Sequence, residues 1–237
     1  MAVNVLVVDI GGTNVKLWIT GEADKIKFPS GKSLTPDRMV DEIQRHLAGR
    51  TVDRVSLGFP GPVEKGLPAS EPYNLGPGWV GYDFAKAFNA PTRVMNDACM
   101  QALGSYEGGR MLYLGLGTSM GSVYMGEGHI APLALGHLKF CGGESFEHYL
   151  SRKGLELHGE KSWRRAVCEA AATLKAAFLV DYVVLGGGNA KHLNELPEGC
   201  RRGGSHNAYF GGLKMWHPEP VHEASLSLIP AQAATAG

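Results

Sequence analysis

The pattern of hydrophobic and polar positions at the start of the chain predicts a β-hairpin. Residues 5–8 form an aliphatic run that is typical of a buried strand, and apolar residues alternate with polar ones over 15–19. Gly11 and Gly12 lie between the two segments, where a hairpin turn would use their access to positive φ. A plain hairpin does not explain Asp9, because a carboxylate at the end of a buried strand needs a partner.

Helical periodicity marks several of the segments between strands. The clearest case is residues 36–48, with Thr35 as N-cap, Pro36 in the first turn and Gly49 after the end. Its apolar residues Met39, Val40, Ile43 and Leu47 fall on one face. Further helices are predicted over 82–89, from 98 onwards, and over 144–158 and 160–179.

Three glycine-rich turns, DIGGTN, LGLGTSMGS and LGGGN, each follow a hydrophobic strand. Backbone N–H groups in such turns form concavities that bind anions, and a threonine hydroxyl adds a donor. Neither a Walker A sequence nor GxGxxG occurs in its usual context. The second turn belongs to another predicted hairpin, so the sequence predicts a mixed α/β protein with two related lobes around a ligand cleft. The predicted lobes are residues 1–96 and 97–216, followed by a poorly ordered tail over 217–237.

Composition narrows the possible partners and compartment. Lys plus Arg equals Asp plus Glu at 23 each, so no overall charge favours nucleic acid or an anionic membrane. No apolar run approaches the roughly 18 residues of a membrane span. The four cysteines, Cys99, Cys141, Cys168 and Cys200, are too far apart for CxxC chemistry. With no recognisable signal peptide, we expect reduced thiols and a cytoplasmic protein.

Several motifs together resemble the ROK family of sugar kinases, and most closely its polyphosphate glucokinase-like branch. They are DIGGTNVKL, GFPGPV, NLGPGW, VMNDACMQALG, LGLGTSMGS, LGH and VVLGGGNAK, in the family's order and spacing from residue 3 to about 216. The resemblance implies the two-lobed, actin-like ATPase (ribonuclease H-like) fold with ligands in the cleft between the lobes. It also implies a homodimer.

The resemblance assigns the phosphoryl donor and its Mg²⁺ to the glycine turns. Asp9 would lie beside the phosphates and the metal, and Lys16 could add a positive charge, although an exposed lysine is equally compatible with the sequence. The turn residues that the resemblance assigns to phosphate binding are Gly11, Gly12, Thr13, Gly115, Gly117, Thr118, Gly121, Gly186, Gly187 and Gly188.

The candidate catalytic residue is Asp97, in an Asn-Asp pair between a strand and a helix. Such a pair alone favours an N-cap; the resemblance implies that Asp97 is the general base for a sugar hydroxyl, and the two roles are compatible. The resemblance also implies sugar contacts from Asn74, Asn96, Asp97, His137 and Glu147. Trp79 could stack on a sugar, but packing within its loop is the favoured interpretation.

The sequence also departs from the family pattern. Ala134 occupies the position of the glutamate in the family's ExGH motif, and a lost charge-assisted hydrogen bond would weaken or change sugar binding. Ser119 stands where glycine is common, which would be costly if the turn required positive φ there. His137 and Cys141 alone cannot complete the family's zinc site, so no structural zinc is expected.

The phosphoryl donor stays open between ATP and polyphosphate. A basic cluster could follow a polyanion, but a solvated helix face explains it equally well; its members are Arg152, Lys153, Lys161, Arg164 and Arg165. The favoured activity is transfer to the 6-hydroxyl of glucose. The alternatives are a kinase for another sugar and a degenerate protein that binds sugar with slow turnover. A sugar-responsive DNA-binding regulator is disfavoured, because the DIGGT strand begins at residue 3 and leaves no room for a preceding DNA-binding domain.

Overall fold

The computed structural model describes residues 3–22, 25–204 and 206–216 and the backbone of 222–223. Apart from that backbone, the predicted tail over 217–237 lies outside the described residues. Two β-sheets account for most strands, and helices cover or separate them.

The first sheet contains five strands in the order β3-β2-β1-β4-β7. They are β1 (Val5–Ile10), β2 (Asn14–Ile19), β3 (Ile26–Pro29), β4 (Arg54–Phe59) and β7 (Thr92–Asn96). The first three strands are antiparallel, as the opening hairpin predicts, whereas β4 and β7 run parallel to β1. A small ribbon pairs β5 (Val63–Glu64) with β6 (Leu67–Pro68).

The second sheet contains six strands in the order β12-β11-β8-β9-β10-β13. They are β8 (Met111–Leu116), β9 (Met120–Gly126), β10 (His129–Leu133), β11 (Tyr182–Gly186), β12 (Cys200–Arg202) and β13 (His222–Glu223). The β8–β9 hairpin repeats the antiparallel geometry of β1–β2. This repetition matches the two similar hairpins predicted from the sequence.

The helices are α1 (Pro36–Leu47), α2 (Phe84–Phe88), α3 (Asp97–Ser105), α4 (Phe146–Leu150), α5 (Arg152–Ala177) and α6 (Asn207–Lys214). The predicted caps of α1 are confirmed: Thr35 Oγ1 accepts from Arg38 N, and the helix ends in a left-handed Ala48 before Gly49. The helix predicted over 144–158 is divided, because Ser151 ends α4 and caps α5. Gly159 adopts φ 73° and kinks α5, so the predicted break near residue 159 is present inside one element.

Three hydrophobic clusters hold these elements in layers. The fully buried β1 contributes Leu6, Val8 and Ile10 to a cluster with α1 and α2. Its alternate residues, Val5 and Val7, face a cluster that includes α3, α6 and the near face of the second sheet. The far face of that sheet packs on α4 and α5 in a third cluster.

No pattern in the sequence predicts α6, and this helix packs against elements of the first sheet. Although it follows strands of the second sheet, α6 packs on β1 and β4 of the first sheet as well as on α3. Ser56 Oγ donates to Gly212 O at 2.6 Å and accepts from Trp216 Nε1 at 2.7 Å. The lobe boundaries of residues 1–96 and 97–216 therefore stay a prediction. Within the described residues, no helix is both long enough and apolar enough to cross a bilayer.

Candidate active site

A cleft of about 830 Å³ lies where the three glycine turns come together. Many of the predicted site residues line it: Asp9, Gly11, Gly12, Thr13, Lys16, Asn74, Asp97, Gly115, Gly117, Thr118, Gly121, Glu147, Gly187 and Gly188. Two predicted sugar contacts, Asn96 and His137, are not among the lining residues. Segments that are far apart in sequence therefore meet around one cavity.

Asp9 has the partner that its burial requires. It lies opposite Lys16 in the antiparallel β1–β2 pair, and Lys16 Nζ donates to Asp9 Oδ2 at 2.8 Å. The Asp9 side chain is 2% exposed, whereas that of Lys16 is 40% exposed and reaches the cleft. Among the described residues, Asp9 Oδ1 is buried without a hydrogen-bond partner. A buried carboxylate oxygen with no partner is suited to bind a metal ion or a metal-bound water.

Asn96 and Asp97 divide the capping and cleft-facing roles between them. Asn96 Oδ1 accepts from Ala98 N at 3.0 Å and Cys99 N at 3.2 Å, which caps α3. Its Nδ2 donates to Gly61 O at 3.1 Å, so both ends of the amide bind backbone groups. Asp97 Oδ1 also accepts from Ala98 N, at 2.8 Å, yet its carboxyl group lines the cleft.

The environment of Asp97 suits a group that exchanges protons near neutral pH. Burial, followed by the negative charge of Asp9, raises the pKa of Asp97 to about 7. The Ala98 N–H and the positive charge of Lys16 oppose this increase. A carboxyl group with this pKa is poised for general base catalysis at physiological pH.

The first glycine turn does not use the positive φ that the sequence suggested. Neither Gly11 nor Gly12 adopts positive φ, so that expectation is wrong. Steric crowding explains why residue 11 is glycine, because a Cβ there would lie 2.9 Å from Asn14 O. At Gly12, a Cβ would lie 3.4 Å from Asn74 Nδ2 and 3.9 Å from Thr118 Oγ1. The first turn, the second turn and the Asn74 loop thus face one another closely.

The second turn accommodates Ser119 without backbone strain. Ser119 does not adopt positive φ, so the penalty considered for a non-glycine residue does not arise. The turn is closed by Gly117 N donating to Ser119 O at 3.3 Å. A Cβ at Gly121 would meet Ala98 Cβ at 3.0 Å, and glycine there lets β9 approach the start of α3.

The third turn does require left-handed backbone. Gly187 has φ 80°, and a Cβ there would lie 2.6 Å from Leu116 O. Gly188 then begins a short 3-10 helix, Gly188–His192. This turn therefore packs directly against the end of β8.

The predicted sugar contacts occupy different environments. Asn74 and Glu147 line the cleft, and Glu147 Oε2 accepts from Met120 N at 3.2 Å. His137 is exposed at the end of the 3-10 helix Leu135–His137, and Ala134 precedes that helix, also exposed. Trp79 is completely buried, with its ring 5.8 Å from Phe59 and 6.4 Å from Phe84, which confirms packing.

Several cleft residues were missed or only partly anticipated. The cavity wall includes the basic residues Lys25, Arg152, Lys191 and Arg202, and also Tyr73, Gln101 and Tyr113. Of the five predicted basic-cluster residues, only Arg152 lines the cleft. Arg164 instead bonds to Glu160, His192 O and Asn194. The missed residues are scattered through the chain, but Gln101 follows Asp97 by four residues, a helical spacing that could have indicated it.

Metal binding by protein side chains alone has little support in the described part of the chain. No group of three or more His, Cys, Asp or Glu residues is arranged to hold an ion there. Mg²⁺ does not need such a group, because it commonly binds through one or two carboxylates together with substrate phosphates and water.

Comparison with solved structures identifies the fold. The chain is similar to an inorganic polyphosphate/ATP-glucomannokinase from Arthrobacter sp. strain KM, with TM-score 0.74 and 22% identity, covering 89% of this chain and 97% of that one. A ROK family glucokinase from Streptomyces griseus, in complex with glucose and AMPPNP, gives TM-score 0.68 and 18% identity, covering 90% and 98%. A ROK family transcriptional regulator gives TM-score 0.62 and 16% identity, covering 88% and 76%.

These similarities establish the fold of ROK family proteins, the two-lobed actin-like ATPase fold, as the motifs predicted. No protein-family profile matches the chain. No curated protein sequence matches it either.

Proposed function

We propose that this chain is a sugar kinase of the ROK family, which transfers a phosphoryl group from polyphosphate or ATP to the 6-hydroxyl of glucose. The observation that carries the proposal is the position of Asp97. Its carboxyl group lines the same cleft as Asp9 and all three glycine turns, and its pKa is raised to about 7. This combination suits a base that faces a phosphate site.

The proposed reaction begins with a sugar hydroxyl within hydrogen-bond reach of Asp97. The carboxylate accepts the hydroxyl proton while the sugar oxygen forms its bond to the terminal phosphorus of the donor. The bond between that phosphorus and the bridging oxygen breaks, and the shortened phosphate chain leaves with the electron pair. Asn74 and Glu147 are the proposed partners of the other sugar hydroxyls, since both line the cleft.

The proposed donor site lies between the glycine turns. Backbone N–H groups of these turns and the hydroxyls of Thr13 and Thr118 offer donors to phosphate oxygens. Asp9 would hold Mg²⁺ directly or through water, because its Oδ1 has no partner among the described residues. A bound Mg²⁺ would neutralise charge on the phosphates during transfer. Lys16 would stay paired with Asp9 and extend the positive environment.

The charge of the cleft supports a polyanionic donor. Five basic side chains line the cavity with three carboxylates: Lys16, Lys25, Arg152, Lys191 and Arg202 against Asp9, Asp97 and Glu147. Clefts lined by one sign of charge concentrate oppositely charged ligands. Polyphosphate and ATP both fit this chemistry, and the donor named for the Arthrobacter enzyme includes both.

A coupled assay for glucose 6-phosphate tests the proposal. Purified protein, Mg²⁺ and glucose are combined with ATP or polyphosphate, and the same assay is run with other hexoses. Product formation supports the kinase, and the ratio of kcat/KM values identifies the preferred donor and acceptor. No phosphorylated sugar with either donor, from folded protein, would contradict it.

The second candidate is a re-specialised or degenerate protein that binds sugar with slow turnover. Ala134 favours it, because this position is a glutamate in the ROK motif that the sequence resembles. Replacement Ala134→Glu distinguishes the two forms of this alternative. A large gain in activity on glucose would indicate loss of a glucose contact, whereas no gain together with activity on another hexose would indicate a changed acceptor.

A further inference from the structure

We propose that Gln101 donates a hydrogen bond to the phosphate chain of the phosphoryl donor, and that Tyr113 is the positioning residue that orients it. This inference rests on the proposed function, since it concerns the donor side of the same cleft. Gln101 lies within the VMNDACMQALG motif, but the resemblance assigns no role to it or to Tyr113.

Gln101 lies on the same face of α3 as Asp97, one helical turn further along. It is only partly buried, and its side chain lines the cleft. Tyr113 lies on β8, two residues before Gly115, and is 1% exposed. The pair thus links the helix that begins at Asp97 to the strand that leads into the second glycine turn.

The Tyr113 hydroxyl is also pressed against the third glycine turn. A Cβ at Gly186 would lie 2.3 Å from the Tyr113 hydroxyl oxygen, so that only glycine fits there. The backbone of Gly187 provides a hydrogen bond to the same oxygen, and this bond partly offsets the burial that raises the pKa of Tyr113. The phenol is therefore neutral and has a single hydrogen to donate.

The hydrogen-bond pattern fixes the orientation of the Gln101 amide. Tyr113 Oη donates to Gln101 Oε1 at 2.7 Å. With its oxygen facing Tyr113, the amide presents both Nε2 hydrogens elsewhere. If the Gln101 amide were reversed, its NH₂ group would face the Tyr113 hydroxyl oxygen, which already faces the Gly187 N–H. The Tyr113 hydrogen would then lack Gln101 Oε1 as its acceptor. The Gln101 amide is consequently held as a hydrogen-bond donor at the wall of the cleft.

The neighbours of this amide indicate a phosphate rather than a sugar. Gln101 is held against Tyr113, whose ring and hydroxyl contact Gly115 and Gly186, at the second and third glycine turns. A neutral amide donor can bind phosphate oxygens without forming an ion pair with Asp9 or Asp97. We therefore assign Gln101 to the donor.

The test measures binding of inorganic tripolyphosphate and of AMPPNP, each with Mg²⁺, by isothermal titration calorimetry. Gln101→Leu removes the amide at similar size, and Gln101→Glu keeps the shape but replaces the donor by a negative charge. We expect the Kd of whichever phosphate compound binds to rise about tenfold or more in Gln101→Leu and further in Gln101→Glu. The affinity for the sugar should change less than threefold.

Tyr113→Phe tests the positioning role, with Tyr106→Phe as matched control. Tyr106 Oη donates to Gly109 O outside the cleft, so its replacement removes a tyrosine hydroxyl without touching the pair. We expect Tyr113→Phe to raise the Kd of the phosphate compound about threefold to tenfold while the Kd of the sugar is unchanged, and Tyr106→Phe to alter neither. Circular dichroism and thermal melting verify that each variant is folded.

Because binding is measured without turnover, this inference and the proposed function can fail separately. Absence of sugar phosphorylation by the wild-type protein would overturn the proposed function alone. If Gln101→Leu and Gln101→Glu, both folded, bind the phosphate compounds as wild type does, the inference is wrong. It is also wrong if the wild-type protein binds neither compound, or if the sugar affinity falls as much as the phosphate affinity.

Discussion

Asn96 and Asp97 are adjacent, yet their side chains have different surroundings and different tasks. The Asn96 side chain caps α3 and donates to Gly61 O, whereas the Asp97 carboxyl group lines the cleft. A strand that runs directly into a helix places both residues at the helix N-terminus, where backbone N–H groups are available. The local geometry that positions the proposed base thus comes from its neighbour.

The first prediction concerns pH. Asp97 must be deprotonated to accept a proton, and its pKa in the free protein is raised to about 7. We expect kcat/KM for the sugar to increase about tenfold per pH unit below 7 and to level off above it. Steady-state rates between pH 5.5 and 8.5 measure this, with the donor and Mg²⁺ held below their KM so that the free protein is the species that titrates. Activity that is already maximal at pH 5.5 would contradict the assignment.

The second prediction concerns the ion pair at the end of β1. Lys16→Met leaves the buried Asp9 Oδ2 without its partner at 2.8 Å. Because Lys16 is half-exposed, solvent already weakens the ion pair, which limits the loss of stability. We expect the free energy of unfolding to fall by about 1–3 kcal/mol, measured by urea denaturation at pH 7. Lys27→Met, on the neighbouring strand and exposed, is the control and should change it by less than about 0.5 kcal/mol. Equal losses in both variants would contradict a special role for the pair.

At this scale the sequence revealed the charged residues better than the neutral ones. Asp9 could be predicted because a carboxylate at the end of an apolar strand is unusual and demands a partner. Tyr113 could not, because a tyrosine within an apolar run is typical of a buried strand. Its link to Gln101 depends on how α3 packs against β8, which no local pattern specifies.

At the scale of secondary-structure elements, α3 and α6 approach each other closely, and glycine makes this approach possible. A Cβ at Gly104 would lie 1.8 Å from Asn207 O, and one at Gly211 would lie 1.8 Å from Met100 O. The two backbones are therefore in direct contact between the two sheets. Because Asp97 begins α3, this contact also supports the position of the proposed base.

The third prediction follows from that contact. Gly104→Ala should lower the free energy of unfolding by more than about 3 kcal/mol, because the methyl group overlaps backbone atoms that cannot move separately. Thermal and urea denaturation provide the measurement. The control is Ser105→Ala, since Ser105 Oγ donates back to Gln101 O and Ala102 O of its own helix. A Gly104→Ala variant as stable as Ser105→Ala would show that the helices do not pack this way.

The sequence predicted some elements well because their signals are local. The two hairpins and the caps of α1 follow from alternation, glycine turns and a Thr-Pro start, all within a few residues. In contrast, α6 has the sequence NAYFGGLK, whose two glycines disfavour a helix. It is stabilised by contacts with α3 and β1 that are remote in sequence.

For the whole molecule, the distribution of charge matters more than its total. The chain has equal numbers of acidic and basic residues, yet the cleft contains more basic than acidic side chains. Sequence reasoning could not find this excess because Lys25, Lys191 and Arg202 come from separate segments that only the fold brings together. The cleft itself was predicted from the order of the motifs and their resemblance to the ROK family.

The fourth prediction tests this local charge. Arg152→Gln should raise the donor KM about threefold to tenfold and reduce its dependence on salt between 50 and 300 mM KCl. Arg165→Gln is the matched control, because Arg165 is exposed on the same helix but does not line the cleft. The sugar KM should be unchanged in both. If Arg152→Gln and Arg165→Gln have the same donor KM and the same salt dependence, Arg152 does not interact with the donor.

The most direct test of the account is the rate of sugar phosphate formation by wild-type protein and Asp97→Asn, measured with the best donor and acceptor. Mass spectrometry quantifies the product, and calorimetry measures sugar affinity in parallel. We expect kcat to fall about 10²- to 10⁴-fold in Asp97→Asn while sugar binding changes little, because the amide keeps the shape but cannot accept the proton. A folded Asp97→Asn variant that retains more than half of the wild-type kcat would contradict it.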